Sequence, residues 1–203
     1  MSFHAIHDIQ RAYRKVVDSM ARPGRVSDLS EEASKADAGF GSYPSTWVLA
    51  VMMLDTEVTF KIYSRRENEL SRLFNQLTFA SRAETEKADY IFVLHDAEEG
   101  AAEAALRKAK TGSLADPHDS ASIIIESGDL SDGSEWRLTG PGIREESLVR
   151  LPMEGGLLLA RAERNAEYPM GLDMIVVDRK HRLICLPRTT QISRREVQLA
   201  WDM

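Results

Sequence analysis

Residues 173–190 read Asp173-Met-Ile-Val-Val-Asp-Arg-Lys-His-Arg-Leu-Ile-Cys-Leu-Pro-Arg-Thr-Thr190, with two short apolar runs on either side of a polar turn. Short apolar runs bounded by turn residues are typical of buried strands. The polar connection, 178–181, has the length of a hairpin loop, and a hairpin connection requires antiparallel pairing. The sequence therefore predicts that strands 174–177 and 183–186 form a hairpin.

Upstream of this hairpin, helical and strand-like patterns alternate along the chain. Apolar residues recur at helical spacing in 70–77 and 98–110, whereas 58–62 alternates and 88–94 is apolar on both faces. Helices that alternate with strands predict crossover units, which place strands in parallel. Parallel strands followed by a hairpin predict a mixed sheet.

The first predicted helix covers 8–21 and ends before Pro23-Gly24. Asp8 is a plausible N-cap. The apolar face is formed by Ile9, Tyr13, Val16, Val17 and Met20. We expect this face to pack against the sheet.

Other segments are assigned by composition. Segment 47–54 is apolar on every side, which favours a helix buried between layers or in a subunit contact, although periodicity also permits a buried strand. Strands 122–126 and 134–138 are separated by glycine-containing turns and are predicted to form a hairpin with an extended loop. Segment 157–164 suits helix or strand, and we choose helix. Residues 193–198 are predicted to begin a terminal helix or tail.

These elements predict an α/β fold with three layers, in which a mixed sheet is covered by helices on both faces. The chain has 203 residues, a length that favours one domain spanning 1–203. A net charge of −6 argues against general nucleic-acid binding. The absence of a long apolar run and of a signal stretch, together with a single cysteine, predicts a cytoplasmic protein that does not span a membrane.

Several loops have the composition of anion-binding segments. Gly140-Pro-Gly142 can expose backbone amides to an oxyanion, although a tight turn is the commoner role of such a sequence. Arg188, Thr189 and Thr190 follow the last apolar run and offer donors that could grip a phosphate. A surface arginine with capping threonines is the slightly favoured alternative.

Two further candidates are charged residues beside turns. Arg22 and Arg25 flank Pro23-Gly24, where cations near a helix C-terminus also complement the helix dipole. Asp173 precedes a strand and is expected to pair with a cation such as Arg188 more often than to act as a base.

The histidines and the cysteine offer little chemistry by their spacing. His95, His118 and His181 occur singly and are interpreted as surface or packing residues, and no spacing typical of a metal site is present. We reject a dyad of His181 with Cys185, since four residues across a hairpin turn place the two side chains poorly.

The order of these motifs resembles the PhnH family, a subunit of the bacterial carbon–phosphorus lyase system. The segments that carry the resemblance are Met20-Ala-Arg-Pro-Gly24, Asp116-Pro-His-Asp-Ser-Ala-Ser122, Gly140-Pro-Gly-Ile143, Tyr168-Pro-Met-Gly-Leu-Asp173 and Pro187-Arg-Thr-Thr190. The family pattern has Phe-Pro-Leu-Gly-Val-Asp at the fourth of these, a conservative difference. No single motif is decisive, but their order along most of the chain is.

The resemblance implies a fold similar to the large domain of type I pyridoxal-phosphate-dependent transferases, acting as a homodimer without that cofactor. It also implies assembly with the PhnG, PhnI and PhnJ subunits. In the family, PhnG, PhnH and PhnI support displacement of adenine from ATP by a phosphonate, giving alpha-D-ribose 1-phosphonate 5-triphosphate. Cleavage of the carbon–phosphorus bond belongs to PhnJ and its iron–sulfur cluster, and one cysteine here fits that division.

The sequence thus supports a subunit that is not catalytic alone, with a phosphonate or triphosphate pocket formed from three loops. The predicted pocket residues are Arg22, Arg25, Gly140, Gly142, Asp173, Arg188, Thr189 and Thr190. The first alternative is a purely architectural dimeric subunit with a vestigial cleft. The second is an independent transferase. The sequence counts against it, because no lysine stands in a flank that resembles a Schiff-base loop.

Overall fold

The computed structural model describes residues 5–36, 41–153 and 155–194. Its helices are α1 (Ala5–Ala21), α2 (Ser30–Ala33), α3 (Pro44–Met53), α4 (Glu67–Thr78), α5 (Ala101–Lys108) and α6 (Gly155–Arg164), with a 3₁₀ turn at Leu130–Asp132. The strands are β1 (Val26–Asp28), β2 (Thr59–Tyr63), β3 (Ser81–Arg82), β4 (Tyr90–Val93), β5 (Ser122–Ser127), β6 (Ser134–Thr139), β7 (Ser147–Leu151), β8 (Asp173–Asp178), β9 (Arg182–Leu186) and β10 (Gln191–Arg194).

The main sheet has seven strands in the order β1-β9-β8-β5-β4-β2-β3. Strands β3, β2, β4, β5 and β8 are parallel to one another. Strand β9 pairs antiparallel with both β8 and β1, and Ile175 lies opposite Cys185 in the β8–β9 pair. The predicted hairpin and the predicted mixed sheet are therefore confirmed.

The sheet is buried on both faces because its central strands are apolar at successive positions. Ile123 and Ile125 belong to a core cluster that includes Leu106 of α5 and Leu158 of α6. Ile124, between them, belongs to a second cluster with residues of α1, α3 and α4. Helices thus cover both faces, as the α/β prediction required.

The predicted hairpin of 122–126 with 134–138 is wrong. Strand β5 lies between β4 and β8 in the main sheet, whereas β6 is the centre of a separate sheet ordered β10-β6-β7. A strand buried on both faces, as β5 is, belongs at the centre of a parallel sheet. Strand β6 instead alternates, burying Trp136 and Leu138 against the α5–α6 side of the core.

The sequence did not indicate β7 or β10, and β10 lies before and partly within the segment expected to begin a helix or tail. The remainder of that segment lies outside the described residues. The helices chosen for 47–54 and 157–164 are confirmed as α3 and α6.

The orientation predicted for the first helix is wrong in part. Helix α1 buries Ala12 and Val16, but Tyr13 and Val17 are 57% and 44% exposed. The helix begins at Ala5, so Asp8 lies in its first turn and is buried, where it pairs with Lys35 at 3.0 Å. The core-facing stripe of α1 therefore includes a buried ion pair that apolar spacing alone could not indicate. Within the described residues, no helix is long and apolar enough to cross a membrane.

Candidate functional site

Four of the segments singled out in the sequence meet at one place, which we call the loop junction: residues 20–25, 140–143, 168–173 and 187–190. Gly140 has φ +126° and Gly142 has φ +82°, a region that favours glycine. A Cβ on Gly140 would lie 2.8 Å from the Thr189 carbonyl oxygen, and one on Gly142 would lie 2.4 Å from that of Ala21. Backbone approach this close requires glycine at both positions.

The Asp173–Arg188 ion pair joins the two later segments of the loop junction. The guanidinium Nη2 lies 2.7 Å from Asp173 Oδ2, and the Arg188 backbone N–H donates to Oδ1 at 2.7 Å. Nη1 donates to the Pro117 carbonyl at 2.8 Å and Nη2 to Ser120 Oγ at 2.6 Å. The predicted structural pairing of Asp173 is confirmed.

These bonds use the donors of Arg188 within the chain. A guanidinium has five N–H donors in a planar fork. Here they are directed at a carboxylate, a hydroxyl and loop carbonyls, so Arg188 fixes the loops relative to one another. An anion-binding role for Arg188, Thr189 and Thr190 stays a prediction.

The sequence reasoning missed Arg161, which supports the loop junction from beneath. Arg161 is 3% exposed, and its guanidinium donates to the carbonyl of Thr190 at 2.9 Å and to that of Pro187 at 2.6 Å. Burial lowers the pKa of the Arg161 guanidinium to about 10, while the charge of Asp173 acts in the opposite direction. The signal that could have identified it is an arginine directly after Leu157-Leu-Leu-Ala160 on the buried side of a helix.

Arg22 and Arg25 have a different environment. Both side chains are more than half exposed and share Asp18, at 2.6 Å from Arg22 and 2.9 Å from Arg25. They line an open cleft of about 610 Å³. The other charged residues that line it are Arg14, Lys15, Asp18, Asp28 and Glu31. Four cations and three acids therefore line this cleft, an excess of one positive charge.

The predicted pocket residues thus fall into two sets. The glycines, Asp173, Arg188 and the two threonines belong to the loop junction, where Thr190 is buried. Arg22 and Arg25 reach from the junction backbone into the neighbouring cleft. The loops converge, but the junction is closed by its own hydrogen bonds and the exposed positive charge lies beside it.

The remaining reactive side chains lie away from the loop junction or are shielded. Burial raises the pKa of the Cys185 thiol to about 12, so the thiolate nucleophile is suppressed. His181 is engaged with another residue, since its Nδ1 forms a hydrogen bond with Ser45 Oγ at 3.2 Å. Among the described residues, no three His, Cys, Asp or Glu side chains are grouped as metal ligands.

Comparison with known proteins places these features in a family. Residues 2–193 match the family model described as "Bacterial phosphonate metabolism protein (PhnH)". The chain is 29% identical over 189 residues to the proposed C-P lyase subunit protein HtxG of Stutzerimonas stutzeri, covering 91% of this chain and 85% of that protein. It is 27% identical over 191 residues to alpha-D-ribose 1-methylphosphonate 5-triphosphate synthase subunit PhnH of Rhizobium meliloti strain 1021, covering 93% and 92%.

Proposed function

Since the chain belongs to the PhnH family of bacterial phosphonate metabolism proteins, we propose that it acts as a subunit of a carbon–phosphorus lyase system. In that system it supports displacement of adenine from ATP by a phosphonate, giving alpha-D-ribose 1-phosphonate 5-triphosphate. The observation that carries this proposal is that both relatives correspond to the chain over most of their own length, 85% and 92%. A shared full-length core makes a shared role in one assembly the most economical explanation.

We assign the loop junction a supporting role within this function. Arg188 and Arg161 donate to backbone carbonyls of this chain. The loop junction therefore fixes the backbone of the segment that carries Arg22 and Arg25. The cationic cleft then receives a phosphonate or triphosphate oxyanion, or an acidic surface of a partner subunit. The chain forms a homodimer and assembles with the PhnG, PhnI and PhnJ subunits. We extend the proposal to the fold, which is related to that of the type I pyridoxal-phosphate transferases.

The test of assembly is co-expression of the chain with PhnG, PhnI and PhnJ, followed by mass measurement of the intact complex. We expect the chain to co-purify with these subunits and to restore growth on methylphosphonate to a strain that lacks its own PhnH. A chain that purifies alone and does not restore growth would refute the proposal.

The ligand role of the cleft is tested separately. Isothermal titration of the assembled complex with methylphosphonate or triphosphate is expected to show weaker binding in Arg22→Gln and Arg25→Gln. Arg72→Gln, an exposed arginine on α4, is the matched control. Unchanged titration curves in both cleft variants would remove the cleft as the ligand site.

The alternative, a purely architectural subunit, is favoured by one specific observation. The donors of Arg188 are occupied by protein acceptors, as expected of a strut. Under this alternative, changes at Arg188 weaken subunit association on size-exclusion chromatography, while the assembled complex binds ligand as before.

A further inference from the structure

A pair of side chains that the proposed function does not use lies at the carboxyl ends of the parallel strands. This end of the sheet is opposite the loop junction. Glu126 is near the end of β5, and its side chain is fully buried. His95 follows β4, and its side chain is 43% exposed. His95 Nδ1 lies 2.6 Å from Glu126 Oε2.

The hydrogen bonds of Glu126 fix the state of the imidazole. Its carboxylate also accepts the backbone N–H of Tyr43 at 2.5 Å and that of His95 at 3.1 Å. Each of the two carboxylate oxygens thus already accepts a backbone N–H. With Nδ1 as the donor to Oε2, the neutral imidazole carries its proton on Nδ1, and the Nε2 lone pair is left as an acceptor.

One member of the pair, His95, follows a strand that borders a position where α/β sheets bind ligands. Helix α4, after β2, packs on one face of the sheet, whereas α5, after the neighbouring parallel strand β4, packs on the other. The carboxyl ends of β2 and β4 therefore border a topological switch point, where such sheets bind ligands. His95 follows β4 by two residues and so lies at this end of the sheet.

An aromatic ring lies against His95, and an arginine lies near the same tyrosine. The Tyr43 ring stacks on the imidazole with centroids 4.9 Å apart. Arg179 Nη2 lies 3.6 Å from the place a Cβ would take on Gly128, and its charge acts on the Tyr43 phenol. The Arg179 side chain is exposed and, within the described residues, forms no ion pair. The other charged groups nearby are Asp96, which accepts a bond from Ser64, Asp178, which is paired with Arg182, and Arg66, which is paired with Glu69.

We propose that His95 and Glu126 form an acid–base site for a small oxyanion that still carries a proton, such as a phosphate monoester or phosphonate monoanion. The Nε2 lone pair accepts that proton, and Arg179 attracts the negative oxygens. The O–H bond of the ligand's P–OH group breaks and an Nε2–H bond forms, which leaves an imidazolium beside Glu126 and a dianionic ligand beside Arg179. The choice of phosphonate among these ligands rests on the proposed function.

The first test uses the full chain and diethyl pyrocarbonate, which acylates a neutral imidazole. Inorganic phosphate or methylphosphonate, at roughly ten times its dissociation constant, is expected to slow modification of His95 by about tenfold, because only the free fraction reacts. Arg179→Gln should abolish most of this protection. His118, exposed in a loop at the opposite edge of the sheet, is the internal control and should react equally with and without ligand.

The second test follows the proton itself. In ³¹P spectra of methylphosphonate, the wild-type chain should lower the apparent pKa of the ligand more than His95→Gln does. Equal rates of His95 modification with and without both ligands would overturn the inference, as would protection of His118 to the same extent. Because these assays use the isolated chain, their failure would leave assembly with the partner subunits, and so the proposed function, intact.

Discussion

Replacing Arg188 by Met tests whether the loop junction is held by its ion pair. The substitution keeps the apolar stem but removes the bonds to Asp173, Ser120 Oγ and the Pro117 carbonyl. Breaking a fully buried pair costs about 3–5 kcal/mol. The two side chains here are 18% and 23% exposed, so we expect a loss of about 3 kcal/mol in the free energy of unfolding.

The assay is urea unfolding followed by tryptophan fluorescence, with thermal unfolding beside it. A loss of that size in a chain of this length corresponds to a fall of roughly 6–12 °C in Tm. Asp173→Asn in the same background should add little, because its partner is already gone. The control, Arg72→Met on the exposed side of α4, should stay within about 0.5 kcal/mol of wild type.

A loss below about 1 kcal/mol in Arg188→Met, or full additivity with Asp173→Asn, would refute the assignment of Arg188 as a structural strut. The same variant also bears on the pocket prediction. If stability were unchanged while phosphonate binding fell, Arg188 would be a ligand-binding residue after all.

Two further predictions follow from glycine geometry and thiol burial. Gly142→Ala should cost about 2 kcal/mol more than Gly100→Ala in urea unfolding, because both glycines have similar positive φ but only Gly142 faces a carbonyl, that of Ala21 at 2.4 Å; equal losses would contradict the close approach. The raised pKa of Cys185 means that its neutral thiol stabilises the fold fully below pH 9 and that this contribution falls as pH rises from 9 towards 12. Wild type should therefore lose stability relative to Cys185→Ala by up to about 1.4 kcal/mol per pH unit in that window, and parallel pH profiles would contradict it.

Local patterns predicted the hairpin β8–β9, the central strand β4 and the helices α3 and α6. Each of these depends on apolar spacing within one segment, and short-range turn chemistry fixes its ends. The Asp173–Arg188 pair was also within reach, since the residues flank the two strands of one hairpin and must lie at the same edge. The order of the quoted motifs along the chain likewise carried the family resemblance. The match of residues 2–193 to the family model confirms it.

Pairing between distant segments was not accessible in the same way. Strands β5 and β6 are close in sequence, yet the apolar faces of β5 fit only between β4 and β8, so the expected hairpin does not form. Arg161 is drawn into the core because the carbonyls of 187 and 190 converge above it. His95 is a solitary histidine in the sequence and gains a partner only because β4 and β5 are parallel neighbours that end at one edge.

The amino-acid sequence by itself determined most of the helices and the central strands, the closing hairpin and the membership of a family. Those properties depend on residue spacing over a few turns, where neighbouring residues decide the free energy. The tertiary structure alone decided which face of α1 is covered, which arginine is buried and which histidine meets a carboxylate. Those outcomes depend on contacts between segments separated by tens of residues, and only the packed sheet brings them within hydrogen-bonding distance.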